Sequence, residues 1–153
     1  MTVVPPGQGI ALVRTPGSRM AEGLVTHIVR TPVDVELAGR QHAQYVKALR
    51  HSGCEIRYAP PADDCPDSVF VEDTVVVCGS LAVLTRPGAP QRRPEVEGTE
   101  QAVRELGLRA ARIEDPATLD GGDVLQVGRT VYVGLGGRTN AEGIRQQIGR
   151  AHV

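Results

Sequence analysis

Short runs of apolar, mostly β-branched residues, separated by glycine, proline and polar residues, recur along the chain and predict β-strands. Four single strands are predicted at residues 10–14, 25–30, 55–59 and 108–113. Two further pairs of apolar runs predict β-hairpins, one at residues 74–78 and 81–85 around Gly79-Ser80, the other at residues 124–127 and 130–134 around Gly128-Arg129.

Between these strands, apolar residues return at helical spacing in three segments. Asp34 is a typical N-cap for a helix over residues 35–52, which Gly53 would end. A second helix is predicted over residues 95–106, and a third begins after Asn140. This alternation of strands, hairpins and helices predicts an α/β fold.

The two predicted hairpins belong to an internal repeat. Their turn glycines, Gly79 and Gly128, lie 49 positions apart, and each hairpin follows acidic residues and precedes an arginine-bearing loop and a helix. A unit of hairpin, helix and strand cannot cover both faces of its own sheet, so such units are expected to stack with copies of themselves. The chain holds two full copies and the edge of a third.

Length and charge narrow the function classes. A chain of 153 residues is long enough for one hydrophobic core, and a formal net charge of −1 provides no basic field for nucleic acid or an anionic membrane. No apolar run is long enough for a membrane span, and the first nine residues lack the features of a secretory leader. We therefore expect a cytoplasmic protein with neither nucleic acid nor membrane as partner.

The cysteines and histidines do not indicate a cofactor or a metal site. Cys54, Cys65 and Cys78 are odd in number and lack the CxxC spacing, so neither a disulfide framework nor a zinc site is predicted. The acidic loop with Asp63, Asp64 and Asp67 lacks the spacing of an EF-hand calcium site. The histidines within predicted elements are interpreted as structural or surface residues: His27, His42 and His51.

Opposite charges flank both hairpins. Glu72-Asp73 and Asp120-Gly121-Gly122-Asp123 stand directly before the hairpins, and arginines follow them in the loops, at positions 86, 92, 93 and 138. Such a set suits a small zwitterion with a cationic side chain. Each feature also has a simpler explanation, because acid pairs at strand entries are usually solvated, DGGD forms tight turns, and loop arginines are usually exposed.

Four ordered motifs make the chain resemble dimethylarginine dimethylaminohydrolase, a member of the pentein group of guanidino-modifying enzymes. They are PDSVFVED at 66–73, LTRPGAPQRR at 84–93, TLDGGDVLQVG at 118–128 and YVGLGGRTNAEG at 132–143. The resemblance implies an α/β propeller of five hairpin-helix-strand modules, of which two to three would be present. It also implies hydrolysis of N-methylated arginine to citrulline and a methylamine, with a cysteine thiolate as nucleophile and a histidine as acid and base.

The same resemblance assigns roles to individual residues, all towards one small-molecule substrate. It implies that Asp67 accepts the substrate α-amino group and that Phe70 forms a pocket wall. Glu72 and Asp73 would bind the guanidinium, while the forked side chains of Arg92 and Arg138 would hold the α-carboxylate. Asp120 would orient the catalytic histidine.

The resemblance stops where the family is about half finished. No residue here fills the role of the nucleophilic cysteine or of its histidine partner, so we expect the chain itself to be inactive. Residues 1–147 are interpreted as the N-terminal part of a pentein hydrolase domain. Residues 148–153 resemble the translation of a common DNA-sequencing adapter and are interpreted as a non-native tail, although an ordinary helix end broken at Gly149 is the alternative.

Two other functions remain open at this stage. The chain could belong to another guanidino-modifying pentein, such as an arginine deiminase or an amidinotransferase, because acids around a guanidinium would look alike. It could also be a binding module for arginine-like cations that needs no nucleophile. The sequence does not separate methylated from plain arginine, and it leaves the oligomeric state open.

Overall fold

The structure, a computed structural model, describes residues 9–26 and 28–151. The interpretations of His27, of the last two residues of the tail and of the first eight residues fall outside this range. The described residues form two compact units, one ending at Phe70 and the other beginning at Val71. None of the described helices is long and apolar enough to cross a membrane.

The first unit is a β-strand, helix, β-strand arrangement. Strands β1 (Ile10–Val13) and β2 (Glu55–Tyr58) pair in parallel, and helix α1 (Val35–His51) connects them. The Asp34 carboxylate accepts a hydrogen bond from the Leu37 N–H at 2.9 Å, which caps the helix as predicted. Gly53 follows the helix with a φ of 91°, so the predicted helix end is also confirmed.

The strand predicted at residues 25–30 is wrong. The described residues of this segment form no strand, and Ile28 and Val29 are 78% and 86% exposed. Instead, the Arg30 guanidinium donates hydrogen bonds to the carbonyl oxygens of Ala21 and Gly23, which holds the segment as a loop. β-Branched composition favours a strand only where a neighbouring strand and a packed face are available.

The second unit contains the hairpins. Strands β3 (Val75–Cys78) and β4 (Leu81–Leu84) form the first, and helix α2 (Glu95–Glu105) leads to β5 (Arg109–Arg112), which pairs in parallel with β4. Strands β6 (Val124–Val127) and β7 (Thr130–Val133) form the second hairpin, before helix α3 (Ala141–Ala151). All four residues of β4 are buried. The core cluster comprises Leu81, Val83, Ile113, Ala117 and Leu119.

Both predicted hairpin turns are confirmed. Gly79 and Gly128 have φ values of 61° and 59°, in the left-handed region that a tight hairpin turn requires and that glycine adopts without strain. A short 3-10 turn precedes each hairpin, at Val71–Asp73 and at Gly121–Asp123.

The two repeats meet through equivalent positions. The N–H of Gly122 donates to Asp73 Oδ1 at 3.0 Å, and the Gln126 side chain donates to the carbonyl of Val77 at 2.9 Å. Both pairs are separated by 49 residues, the spacing of the turn glycines. Equivalent residues in contact are the signature of stacked modules, so the structure shows the internal repeat. Closure of such modules into a ring stays a prediction.

Helix α3 includes residues 148–151 and continues past Gly149. The helix break at Gly149 that the alternative interpretation supposed is therefore absent. The origin of residues 148–153 is not tested by the fold and stays a prediction.

We expect Gly143→Ala to lower the free energy of unfolding by about 1–3 kcal/mol, the usual cost of overpacking a filled site. A Cβ at this position of α3 would lie 1.9 Å from the carbonyl oxygen of Thr118. The matched control is Gly39→Ala in α1, where a Cβ meets nothing within 4 Å and helix propensity predicts a gain of about 0.5–1 kcal/mol. Urea denaturation of the three proteins checks the opposite signs, and equal effects would contradict the packing at Gly143.

Candidate functional site

Asp73 ends the 3-10 turn before β3, and both of its carboxylate oxygens are engaged. Oδ2 accepts from Nη1 of Arg92 at 2.5 Å, and Oδ1 accepts from the N–H of Gly122 at 3.0 Å. The side chain is 16% exposed. One oxygen of Asp73 is bound by the first repeat and the other by the second repeat. These two contacts together fix the orientation of the carboxylate plane.

Arg92 is almost fully buried. It ends the 3-10 turn Pro90–Arg92 before α2 and is 2% exposed. Beside its bond to Asp73, it donates through Nε and Nη2 to the two carboxylate oxygens of Glu95, at 3.1 and 2.8 Å. Burial alone would lower the pKa of Arg92, but the hydrogen bonds that it donates to Glu95 and Asp73 outweigh burial and raise its pKa.

Arg92 lies against Asp73, although the resemblance assigns it, with Arg138, to the carboxylate end of a ligand. The physical reason for the contact is burial, since a guanidinium removed from water needs carboxylate partners close by. The role of Arg92 towards the substrate carboxylate stays a prediction, whereas the solvent-exposed alternative is wrong for this residue.

Asp120 is held just before the second 3-10 turn. It is 2% exposed, and its Oδ1 accepts from the N–H of Gly88 at 2.9 Å. Nη1 of Arg138 lies 3.5 Å from the other oxygen, and the Arg138 side chain is 37% exposed. Burial raises the pKa of Asp120 and the nearby charge of Asp73 adds to this, against the opposing effects of the Gly88 N–H and the arginines.

Thr139 connects the parts of this region. Its hydroxyl accepts from the N–H of Asp120 at 3.1 Å and donates to Oδ2 of Asp123 at 2.5 Å. The loop that carries Arg138 is thereby tied to the turn that carries Asp120, although the two loops are far apart in sequence.

Four predicted residues therefore come together: Asp73, Arg92, Asp120 and Arg138. Asp73 and Asp120 belong to one charge cluster, as their predicted sharing of a site requires. Glu72 is exposed, and within residues 9–26 and 28–151 no hydrogen bond of its carboxylate is found. The backbone of Glu72 packs against Gly121. A Cβ added to Gly121 would lie 2.0 Å from the Glu72 carbonyl oxygen.

Asp67 and Phe70 belong to the first unit. Asp67 is 8% exposed, and both of its oxygens accept from the N–H of Leu24, at 3.1 and 3.0 Å. Phe70 is 43% exposed and lines, with Asp67 and the loop of residues 20–33, a cavity of about 150 Å³. The predicted α-amino acceptor is thus engaged by a backbone amide.

Two buried polar residues of the cluster were missed by the sequence analysis, Glu95 and Thr139. The sequence pattern predicts only that Glu95 begins a helix and that Thr139 belongs to the motif at residues 132–143. The only available signal for Glu95 was its spacing of three from Arg92, which places the two side chains on one face of a helical turn.

A cavity of about 340 Å³ lies elsewhere in the second unit and contains none of the predicted site residues. Its lining includes Arg86, Arg93 and Arg112 together with Glu114 and Asp115. Arg86 pairs with Asp115 of the lining, and Arg112 pairs with Glu100, which lies outside the lining. The charges of these two arginines are therefore already neutralised by carboxylates of the protein. The charged cluster around Asp73, and not this cavity, is the candidate site.

Comparison with known proteins gives a consistent family. The family model for arginine deiminase matches residues 61–150. The chain is 57% identical over 136 residues to an N(G),N(G)-dimethylarginine dimethylaminohydrolase of Streptomyces coelicolor, covering 89% of this chain and 53% of the relative. The corresponding protein of Pseudomonas aeruginosa is 41% identical over 138 residues, covering 90% of this chain and 54% of the relative.

The solved structures agree. A crystal structure of the Pseudomonas aeruginosa enzyme, a cysteine-to-serine mutant complexed with citrulline, superposes with a TM-score of 0.87 at 40% identity. The match covers 92% of this chain and 55% of that chain. The chain therefore spans about half the length of the curated relatives it matches.

We expect Asp120→Asn to become more stable relative to the original chain as the pH rises from 3 to 7. Because burial raises the folded-state pKa of Asp120 above its ordinary value of 3.8, the folded protein holds this proton more tightly than the unfolded chain. Ionisation therefore costs folding stability as the pH rises through that interval, and asparagine avoids this cost. Urea denaturation across the pH range measures the difference.

The control is Asp63→Asn, which removes an exposed carboxylate. It should show no such trend. An advantage of Asp120→Asn that shrinks with rising pH would contradict the net desolvation of Asp120.

Proposed function

The chain belongs to the arginine deiminase family and groups within it with the dimethylarginine dimethylaminohydrolases of the pentein superfamily, and we propose that the protein carrying it hydrolyses N-methylated arginine. The products are citrulline and a methylamine, with one water consumed. This chain supplies part of the substrate site, and the cysteine and histidine are supplied by a further part of the protein.

The charge of the cluster is the observation that carries the proposal. Three carboxylates, on Asp73, Glu95 and Asp120, surround two guanidinium groups, on Arg92 and Arg138. Among the described residues the carboxylates of this cluster outnumber the guanidinium groups, and burial of an uncompensated carboxylate is costly. The raised pKa of Asp120 expresses that cost. A cationic ligand that binds beside Asp73 would compensate the buried negative charge and so remove this cost. This favours a substrate with a guanidinium.

The proposed roles are those that the resemblance assigns. Asp73 and Glu72 bind the substrate guanidinium, and Arg92 and the partly exposed Arg138 bind the α-carboxylate. For Asp67 and Phe70 the resemblance supports the roles of α-amino acceptor and pocket wall, and the Asp67 carboxylate has acceptor sites beyond those that the Leu24 N–H occupies. Asp120 orients the histidine that exchanges protons with the leaving amine and with water.

The proposed reaction has two steps. The cysteine thiolate bonds to the guanidinium carbon, and the carbon–nitrogen bond to the methylated nitrogen breaks as that nitrogen takes a proton from the histidine. Water, giving a proton to the histidine, then adds to the same carbon, and the carbon–sulfur bond breaks to release citrulline and the thiolate. No cofactor or metal is required by this sequence of steps.

Deimination of plain arginine is the second candidate, because the matching family model is that of arginine deiminase. The two reactions differ only in the amine released. Incubating the full-length protein with methylated and with plain arginine, and measuring methylamines and ammonia separately, distinguishes them. Methylamine release with a higher kcat/KM supports the proposal, and exclusive ammonia release from plain arginine contradicts it.

We expect Asp73→Asn in the full-length protein to lower kcat/KM for methylated arginine by roughly 10–100-fold, the value of a charge-assisted hydrogen bond. Asparagine keeps the shape of the side chain but not the charge that the substrate cation and Arg92 share. Steady-state citrulline formation measures the loss. The exposed Asp63→Asn serves as control and should retain the original kcat/KM, whereas an Asp73→Asn variant with unchanged kinetics would refute the assigned site.

We expect the 153-residue chain by itself to form no citrulline from methylated arginine, because its residues supply neither the nucleophile nor its histidine partner. A colorimetric citrulline assay on purified chain is sufficient. Citrulline formation that disappears in Asp73→Ala would show that the chemistry needs no further part of the protein.

A further inference from the structure

Arg138 lies at the end of an exposed, glycine-rich loop. Residues 134–137, with the sequence Gly-Leu-Gly-Gly, connect β7 to this arginine, and all four are exposed. Glycine has wide backbone freedom, so such a loop does not by itself fix the position of the residue that follows it. Among the described residues, Asp120 is the one ionic partner of the Arg138 side chain, at 3.5 Å. The position of Arg138 therefore depends on the residue after it, Thr139, whose carbonyl also accepts from the N–H of Gly136 at 3.0 Å.

Thr139 is fully buried, and its hydroxyl is engaged both as a donor and as an acceptor. The hydroxyl donates to Oδ2 of Asp123 at 2.5 Å and accepts from the N–H of Asp120 at 3.1 Å. A hydroxyl has one proton, and an ionised carboxylate can only accept, so this proton is committed to Asp123. A lone pair of the hydroxyl is thereby left for the N–H of Asp120. Two bonds from the turn at residues 120–123 thus hold the Thr139 side chain in one orientation.

Asp120 is the more firmly fixed side of this contact. Its carboxylate accepts from the N–H of Gly88 at 2.9 Å, and its backbone carbonyl accepts from the N–H of Asp123 at 3.1 Å. Neither bond involves Thr139. Loss of the Thr139 hydroxyl would therefore displace the backbone that carries Arg138 more than the turn that carries Asp120.

Gly88 adds a steric limit to the same arrangement. A Cβ at Gly88 would lie 2.4 Å from the carbonyl oxygen and 2.5 Å from the Cα of Arg138, so the two backbones are in direct contact. This contact excludes a closer approach of Arg138 to Gly88, while the hydrogen bond of Thr139 to Asp120 opposes separation. The backbone of Arg138 is therefore held at a fixed distance from Asp120.

We propose that Thr139 is a positioning residue for recognition of the substrate α-carboxylate: its hydroxyl fixes the backbone that carries Arg138 against the turn of Asp120. This inference rests on the proposed function, because it takes Arg138 to be one of the residues that bind this carboxylate. Thr139 acts through Arg138.

The test measures KM and kcat for methylated arginine in the full-length protein, by steady-state citrulline formation. Thr139→Val keeps the branched shape of the side chain but lacks the hydroxyl. We expect KM to rise about tenfold, the factor that one hydrogen bond of ordinary strength supplies, and kcat to change less than about threefold. A rise in KM at nearly constant kcat indicates a loss of substrate binding. Thr139→Ser keeps the hydroxyl, and its KM should stay within about threefold of the original value.

Thr130→Val is the matched control, because it makes the same chemical change at an exposed threonine of β7. It should leave KM and kcat unchanged. A lower kcat with an unchanged KM in Thr139→Val would indicate a merely structural role, since a smaller folded fraction reduces the amount of active enzyme without altering substrate affinity. That result would overturn the proposal, as would a Thr139→Ser variant that is as impaired as Thr139→Val.

A double-mutant cycle shows whether Thr139 acts through Arg138. In an Arg138→Ala background, Thr139→Val should lower kcat/KM by less than about twofold, because the side chain that Thr139 positions is already removed. An equal loss of kcat/KM in both backgrounds would show that the two residues act independently, and it would contradict the proposal.

Failure of the inference and failure of the proposed function are distinguishable. If the original full-length protein forms no citrulline from methylated arginine, the proposed function fails, and the inference fails with it. If the original protein is active and Thr139→Val has an unchanged KM, the inference alone fails.

Asp123→Ala replaces Thr139→Val if the latter does not fold, as judged by circular dichroism. Asp123 is partly exposed, and its loss removes the acceptor that orients the Thr139 hydroxyl. A smaller rise in KM, of about threefold, is then expected, because the bond to the N–H of Asp120 is weakened but not removed. An unchanged KM in Asp123→Ala would overturn the proposal.

Discussion

The buried ion pairs of Arg92 are the interaction on which the second unit depends. A guanidinium that is 2% exposed is tolerable only because Asp73 and Glu95 accept from it on two sides. Loss of one partner from such a group typically costs about 3–5 kcal/mol, since a buried charge is left uncompensated. The turn before β3, the turn before α2 and the first turn of α2 are therefore held in one relative position.

This constraint connects the fold to the candidate site. The internal repeat brings Gly122 of the second turn against Asp73 of the first, so one carboxylate joins both repeats. Asp120, at the edge of the same contact, is in turn fixed by Gly88 and by Thr139. Residues that recognise a ligand in the proposed function are the same residues that hold the modules together, and substitutions among them should affect stability and binding together.

In the proposed function, the excess of carboxylate over guanidinium among the described residues favours a cationic ligand. In a hydrophobic core the same arrangement would be a liability, because an unbalanced buried charge lowers stability. At a ligand site the imbalance is useful, since the arriving cation completes the set. Burial raises the pKa of Asp120, and the nearby charge of Asp73 adds to this effect.

The sequence by itself determined the local structure: the cap at Asp34, the glycine turns at 79 and 128, the hairpins and the three helices follow from short-range rules, and all are present. Its motifs also determined the family. Tertiary structure decided what local patterns could not. The β-branched segment at 25–30 forms a loop because it has no strand partner, and Arg92 faces Asp73, 19 positions away, because burial of its charge demands carboxylate partners. The pair of Arg92 with Glu95 has a spacing of three, but the pair with Asp73 depends on packing, and spacing along the chain does not encode it.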